Sequence, residues 1–581
     1  MEKLNAISID SSIENLLLAL NKKHASIGSG QVVVCDRNGT LVGVITDADV
    51  RRFLLSKKRL PEKIDEIVNK ECISIEIGDS TEIHVRELEK NFKLRGWETH
   101  FPVEFVVLTQ NSKPIRIQPI SDFTKDIEKL RDNVIIFGLG FVGLTLGVFL
   151  AESGFNVIGI DSDHKKIDAL KNGSAYLYEP GLKEALSKVY NINFFISGKI
   201  DEYMEEFPSR AGSRNIFFIT VGTYLTSSNK VDFDGIDQVA SMIAEYLKTD
   251  DLVLVRSTVP LGTTEKRVKR IIESKSGLVS GIDFALACAP ERTIEGNALK
   301  ELKELPQIVG GLSKNCTEKS KRIFENAGVR VVEVSSCTAA ELIKLASNAY
   351  RDVSFAFSNE IARISIENSL SPHEIIDSAN YSYDRNAIAK PSPGVGGPCL
   401  WKDSLILANS TKDPSFLQAA RNVNIKIIDD WLEFILDQVS PAKSQKLSVL
   451  VIGVAFKGVP ETNDTRNSSS VIIMEKLNRM QHDIEYWDYV LDELTEQNYS
   501  LEKNLTRFSK HTKAKFFNLV ILANNHPKNR IKLLELFQNI SFKQPIVVTD
   551  PWGLLTIEDR IMLGNRIRYF GIGLSGSNAQ S

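Results

Sequence analysis

Five near-continuous apolar runs, NVIIFG, NVIGID, NIFFITVG, DLVLVRSTV and DFALACAPE, follow one another between Asn133 and Glu291, with helical stretches between them. Strands exposed on one face alternate apolar and polar residues, whereas runs like these belong to parallel strands buried on both faces. A second series begins at KLSVLVIGVAFKG (446–458) and continues through DIEYWD, FFNLVILANN and PIVVTDPW. Between the two, TAAELIKLASNAYRDVSFAFSNEIARISIENSL lacks Gly and Pro and predicts one long helix, and SPAKSQ (440–445) reads as a linker. The expected fold is therefore α/β: two Rossmann-like, doubly wound units joined by a long-helix segment.

The first turn of the first unit carries chemistry. NVIIFGLGFVGLTLGVFLAESGFNVIGID places Gly138, Gly140 and Gly143 in GxGxxG order around Phe141 and Val142, after one strand and before a second that ends at Asp161. Glycines allow the tight turn and the approach of a pyrophosphate to a helix N-terminus, and an acidic residue at the second strand end accepts hydrogen bonds from a ribose diol. Asp161 favours NAD over NADP, whose 2′-phosphate it would repel. Lys166 stands about one turn further on, either reaching the cofactor or lying as a solvated lysine.

Composition excludes several classes. With 71 basic and 74 acidic residues the net charge is −3, so no basic field points to nucleic acid. No apolar run reaches the roughly 18 residues a bilayer needs, and MEKLNAISIDSS has no apolar signal core. Six cysteines without CxxC spacing suggest neither a disulfide framework nor a metal site, which fits a reducing cytoplasm.

Three further groups invite a chemical reading. Lys344 and Asn348, spaced i and i+4, share a helix face and could polarise a substrate oxygen. Glu291, with Glu295 after it, follows a strand where α/β sheets present ligand-binding residues, and could act as a base. PSPGVGGPCLWKDS (391–404) sets Cys399 behind Gly394, Gly396 and Gly397, with Asp403 following. A thiol there could attack an aldehyde, and a nearby cation would favour its thiolate. Taken singly, each is as readily a wet lysine, a loop salt bridge or a buried filler cysteine.

Taken in order, FGLGFVGLTLG, YEPGL, STVPLGTT, APERTIEGNAL, AAELIKLASNAYRDVSFAFSNE, PGVGGPCLWKD and FKGVPETNDTRNSS resemble the nucleotide-sugar 6-dehydrogenase family over roughly residues 132–555. The resemblance implies a four-electron oxidation of the C6 alcohol of a UDP-sugar to a carboxylate with two NAD. It implies that Lys344, Asn348 and Asp403 hold a water, that Cys399 forms a thiohemiacetal and then a thioester, and that Glu291 assists hydrolysis. It gives Val221, Gly222, Thr223, Ser257, Thr258 and Arg466 to the cofactor. Arg292, Gly396 and Lys457 go to the substrate, and Arg385 to the partner subunit's sugar site in a homodimer. APERTIEG resembles the branch acting on UDP-N-acetylhexosamines (GlcNAc or ManNAc type) more than the UDP-glucose branch. Trp401, Ser404, Arg256 and Tyr224-Leu225 depart from the family pattern, and the glycines before Cys399 are expected to leave room for the sugar.

Ahead of this body, VVVCDRNGTLVGVITDADVRRFLL resembles a CBS domain, usually found as a pair in one α+β module. Its Thr46 and Asp49 match ribose-holding positions for an adenine or guanine nucleotide, although a purely structural module fits equally. A weaker second copy ends near Ser121-Asp122. The expected division is 1–125 for the CBS pair and 130–325 for the NAD-binding unit, then 326–435 for a central catalytic and dimerising segment and 446–570 for a UDP-sugar-binding unit. Competing readings are a β-hydroxyacid type of dehydrogenase, which has no use for Cys399, and a nucleotide sensor with an inactive dehydrogenase body.

Overall fold

The computed structural model describes residues 4–21, 30–76, 105–119, 132–202, 214–368, 370–440, 446–491, 506–507, 516–539 and 545–572. Ser121, Asp122 and most of the expected 440–445 linker lie outside them. The chain forms two compact units, the first made essentially of the residues up to Asn133.

That first unit repeats one small plan. β1 (Ala6–Ser8) leads through α1 (Ile13–Leu20) to β2 (Gln31–Cys35), which pairs parallel to β1 and antiparallel to β3 (Leu41–Thr46). Asp36 Oδ1 closes the hairpin by accepting the amides of Asn38 and Thr40, both at 2.8 Å. α2 (Asp47–Lys57) follows at once, capped by Thr46. The pairing recurs in β4 (Ser74–Glu76), parallel to β5 (Phe105–Gln110), which is antiparallel to β6 (Lys113–Pro119). The duplication faint in the sequence is plain in the strand pairing.

The second unit carries two large sheets. In the first, β7 (Asn133–Phe137), β8 (Asn156–Ile160), β9 (Phe194–Ser197), β10 (Asn215–Ile219), β11 (Leu252–Val255) and β12 (Ala285–Cys288) lie in the order β9-β8-β7-β10-β11-β12. β13 (Gln307–Gly311) then adds antiparallel to β12, and β14 (Val331–Glu333) parallel to β13. The second sheet has the order β17-β16-β15-β18-β19-β20 and is parallel throughout. Its strands are β15 (Ser448–Ile452), β16 (Asp483–Trp487), β17 (Thr506–Arg507), β18 (Leu519–Leu522), β19 (Ile546–Thr549) and β20 (Ile567–Phe570). Both sheets thus place their first strand beside their second and fourth, which opens a crevice at its carboxyl end.

Burial on both faces explains the apolar runs. Val449 and Val451 of β15 pack with Trp431, Ile427 and Ile435, while the alternate residues Leu450 and Ile452 pack with Phe517, Leu533 and Phe537. α3 (Phe141–Glu152) is buried continuously from Gly143 to Ala151, so it is apolar all round. The helices that matter for the site are α4 (Ala298–Glu304), α5 (Cys337–Glu367), α6 (Leu400–Ala408), α7 (Ser415–Val439) and α8 (Ser469–Arg479). α5 is the expected long helix, 31 residues capped by Ser336. Among the described residues no helix is long and apolar enough to cross a membrane.

Candidate active site

The carboxyl ends of β7, β10 and β11 are laced together. Thr220 Oγ1 donates to the carbonyls of Phe137 and Gly138 (2.8 and 2.7 Å), Ser257 Oγ to Val221 O (2.6 Å), and Thr223 Oγ1 to Thr258 O (2.8 Å). Gly138 takes φ +96°, a left-handed value that a side chain would strain, and a Cβ on Gly143 would collide with the Gly138 carbonyl oxygen. Gly140 caps α3 and has nothing within 4 Å of where its Cβ would be. The first amides of α3, at Phe141 and Val142, lack intrahelical partners. Asp161, buried, accepts the amides of Leu139 (2.8 Å) and Asp163 (2.9 Å). Lys166 lies 3.4 Å from the Asp161 carboxylate, paired rather than free. An open cradle, donor amides and a fixed acidic residue fit a dinucleotide.

A second cluster forms around α6. Cys399 opens this helix; it is solvent-exposed yet densely surrounded. Burial and the charge of Asp403 push its thiol up, outweighing the pull of Lys344 and Lys402 toward the thiolate. The expected cationic neighbours are present, but in the resting site they do not prevail. One turn on, Asp403 is buried; its Oδ2 accepts from Asn348 Nδ2 at 2.6 Å, while Oδ1 accepts no hydrogen bond. Lys344, half-buried on the same face of α5, makes no hydrogen bond or close ion pair among the described residues, and its charge acts on Glu291 and Cys399. Sequence spacing thus led to a real meeting of α5 with α6.

The glycines before Cys399 require a correction. A Cβ on Gly396 would lie 2.7 Å from Asn467 O, and one on Gly397 2.7 Å from the Phe456 ring. That space is taken by the C-terminal unit, so these glycines admit protein backbone and aromatic packing rather than leave room for a sugar. Ser392 anchors the same loop by donating its amide to Asn359 Oδ1 (2.9 Å), whose Nδ2 donates to Asn424 Oδ1. Asn424 and Arg421 of α7 both reach Asp352, and Ser404 is buried near that group.

Two carboxylates follow β12. Glu291 is buried and bound by Arg256, Nη2 to Oε2 at 2.5 Å. Burial alone would push it up, but Arg256, the Thr293 amide and Lys344 hold it below the usual carboxylate range. Glu295 behaves oppositely: burial and nearby Asp464 push it up to about 7 against Arg466 and Lys457. Lys457 Nζ donates to Glu295 O at 2.6 Å, and burial lowers it to about 8. Arg466 pairs with Asp464 at 2.5 Å and lies 3.6 Å from Glu295. The YEPGL motif explains itself locally: Glu179 accepts the amides of Gly296 and Ala298, both at 2.7 Å, and so holds the loop into α4, while Tyr178 OH donates to Glu461 at 2.6 Å.

Some expected residues stand apart. Arg292 gives only its amide, to Glu291 Oε1 at 2.7 Å. Arg385 is exposed over the Tyr383 ring at 4.7 Å, away from this chain's Cys399 cluster. In the N-terminal unit Thr46 and Asp49 form a capping box, Thr46 Oγ1 donating to Asp49 at 2.7 Å. The sequence reading missed Lys402, whose Nζ donates to Thr223 O (3.1 Å) and Oγ1 (2.8 Å) and lies 3.6 Å from Asp403. Nothing short of the fold could have joined residues that far apart. Among the described residues no group of three or more His, Cys, Asp or Glu could hold a metal ion.

A dinucleotide crevice with a thiol, an ammonium and a buried carboxylate nearby defines an NAD-dependent dehydrogenase. The chain belongs to the UDP-glucose/GDP-mannose dehydrogenase family, matching its NAD binding domain over residues 132–328, its central domain over 338–426 and its UDP binding domain over 450–556. A CBS domain matches residues 2–56. It is thus an NAD-dependent nucleotide-sugar 6-dehydrogenase with a CBS module in front. A UDP-N-acetyl-D-mannosamine dehydrogenase of Pyrococcus horikoshii is 31% identical over 358 residues, 61% of this chain and 83% of that protein. One from Methanococcus vannielii is 30% identical over 376 residues, 64% of this chain and 83% of that protein. The solved structure of a UDP-N-acetyl-mannosamine dehydrogenase from Staphylococcus aureus superposes with TM-score 0.61 at 28% identity, covering 76% of this chain and 98% of that one.

Proposed function

We propose that this chain oxidises C6 of a UDP-N-acetylhexosamine, of the ManNAc or GlcNAc type, to the carboxylate in two successive two-electron steps. The observation that carries the reading is the meeting of Cys399, Asp403 and Asn348, with Lys344 near enough for its charge to act on Cys399. The relatives named above support the N-acetylated sugar. NAD, held by the turn at Gly138–Gly143 with Asp161 and the 221–223 and 257–258 loops, supplies the hydride acceptor for each step.

The chain's residues handle protons and the covalent bond. Asn348 and the Asp403 carboxylate hold a water that takes the proton of the C6 hydroxyl. Lys344 offers its charge to the oxygen as negative charge develops. Cys399 adds to the aldehyde, forming a C–S bond that keeps the half-oxidised sugar from leaving. After the second oxidation the resulting thioester is cleaved by water on the side lined by Glu291. From the C-terminal unit Lys457 faces a phosphate of the nucleotide sugar, and Arg466 reaches the pyrophosphate of NAD.

Two further parts belong to this reading. Leu342, Tyr350, Phe357 and Ile364 are exposed at spacings of seven and eight along α5, an apolar stripe on one helix face. A second copy of the chain covers it in a homodimer, which brings exposed Arg385 to the partner's sugar. An adenine or guanine nucleotide at Thr46 and Asp49 tunes turnover, a role the duplicated plan of the N-terminal unit supports. A panel of UDP-sugars tests the whole: N-acetylated substrates yield two NADH per sugar and an acid product. Turnover of UDP-glucose alone overturns the substrate, and AMP, ATP and GTP without effect on rate or Tm overturn the sensor.

A further inference from the structure

Arg256 has five N–H donors and uses all of them. Nε and Nη2 donate to Glu291 Oε2 (3.0 and 2.5 Å), Nη1 donates to Ala289 O (3.0 Å), and Nη1 and Nη2 both donate to Gln307 Oε1 at 3.1 Å. The residue is fully buried, its guanidinium 5.6 Å from the Phe324 ring centroid. Glu291 is equally committed: Oε2 takes the two arginine bonds, and Oε1 takes the amides of Arg292 (2.7 Å) and Thr293 (2.8 Å). A carboxylate has about four acceptor sites, so none is left for a water.

We propose that Arg256 is a positioning residue of this dehydrogenase, fixing Glu291 as a permanent anion toward Lys344 and withholding it from proton transfer. The groups acting on that carboxylate are Arg256 at the end of β11, Lys344 from α5 and the backbone amides of residues 292 and 293. In thioester hydrolysis the water oxygen bonds to the acyl carbon and the C–S bond breaks. One water proton ends on the Cys399 sulfur and the other leaves through Asp403, whose Oδ1 accepts no hydrogen bond and has Lys402 Nζ 3.6 Å away. Glu291 supplies charge and shape only. A lysine at 256 could keep the charge but not the planar fork that spans Glu291, Gln307 and Ala289 at once.

The inference rests on the dehydrogenase reading of the cleft. If the wild-type chain forms no NADH from any nucleotide sugar, that reading fails; if it is active and the variants are indifferent, only this inference fails. The experiment compares kcat, KM and the pH profile of kcat for Arg256→Met, Arg256→Lys and Gln307→Leu in the full chain. Arg256→Met should lower kcat roughly 10- to 100-fold with both KM values within about threefold, and move the acid limb of the profile upward by about one unit or more, because burial then acts on Glu291 against only Lys344 and the amides of residues 292 and 293. Arg256→Lys and Gln307→Leu should shift rate and limb the same way by less, and they carry the test if Arg256→Met does not fold. Profiles superimposable on wild type overturn the proposal. So does thioester decay in Arg256→Lys at the wild-type rate, followed by intact-protein mass in a single turnover, since the planar fork on Glu291 would then be dispensable.

Discussion

After β7 the chain turns within residues 138–140 into α3, whereas after β15 it runs through residues 453–468 before α8 begins. The two sheets share one strand order, so their crevices lie at equivalent places. The first crevice is lined by glycine and bare helix amides; the second is crossed by Lys457 and Arg466, which reach back to Glu295, with Asp464 paired to Arg466. A tight turn can offer only backbone, and its polarity is fixed and does not titrate. A long loop offers side chains, whose charges respond to pH and to each other. One architecture therefore provides a constant site and an adjustable one.

The most severe test separates chemistry from both crevices. Cys399→Ala should abolish acid product, by at least about a thousandfold, while NAD affinity measured by fluorescence titration stays within about twofold. Gly143→Ala attacks the first crevice: a methyl group driven against the Gly138 carbonyl should cost about 1–3 kcal/mol in stability and weaken NAD binding roughly 10- to 100-fold. Lys457→Met attacks the second. Loss of a charge-assisted contact worth about 1.5–3 kcal/mol should raise KM for the nucleotide sugar roughly 10- to 100-fold and leave KM for NAD unchanged; equal rises in both would break the distinction.

A pH series sharpens it further. Lys457 is lowered to about 8, so it is cationic below that pH and neutral above it. KM for the nucleotide sugar should therefore climb as pH passes 8, toward tenfold over the next unit, while KM for NAD stays level. The smallest effect belongs to Asp161→Asn, which should narrow the preference for NAD over NADP by about three- to tenfold, measured as a ratio of kcat/KM values.

Much of this was legible because the relevant forces are local. Apolar runs report burial on both faces, and Gly138, Gly140 and Gly143 report a turn whose needs lie within a few residues. Lys344 and Asn348 were readable as a face because a helix fixes their spacing. The glycines at 396 and 397 were misread because what fills their Cβ space, Asn467 and Phe456, is supplied by a different unit. Arg256 looked like an incidental departure until β11 and β12 brought it against Glu291. Lys402 was passed over because its partner, Thr223, lies on the far side of the cofactor crevice in sequence. A carboxylate's ionisation is equally a property of assembly: Glu291 and Glu295 share one loop yet are pushed in opposite directions.

The contact of Lys402 with Thr223 ties the helix that carries the thiol to the loop that borders the cofactor, while the nucleotide crevice of the C-terminal unit stands on its own sheet. Residence times can then differ between the two ligands. In the proposed cycle a sugar bonded to sulfur would stay through two visits of the cofactor, and each departure of the spent carrier would be felt at the thiol helix through the two hydrogen bonds that Lys402 gives Thr223. The rhythm of turnover would be kept by that contact, one tether marking time between two oxidations of the same guest.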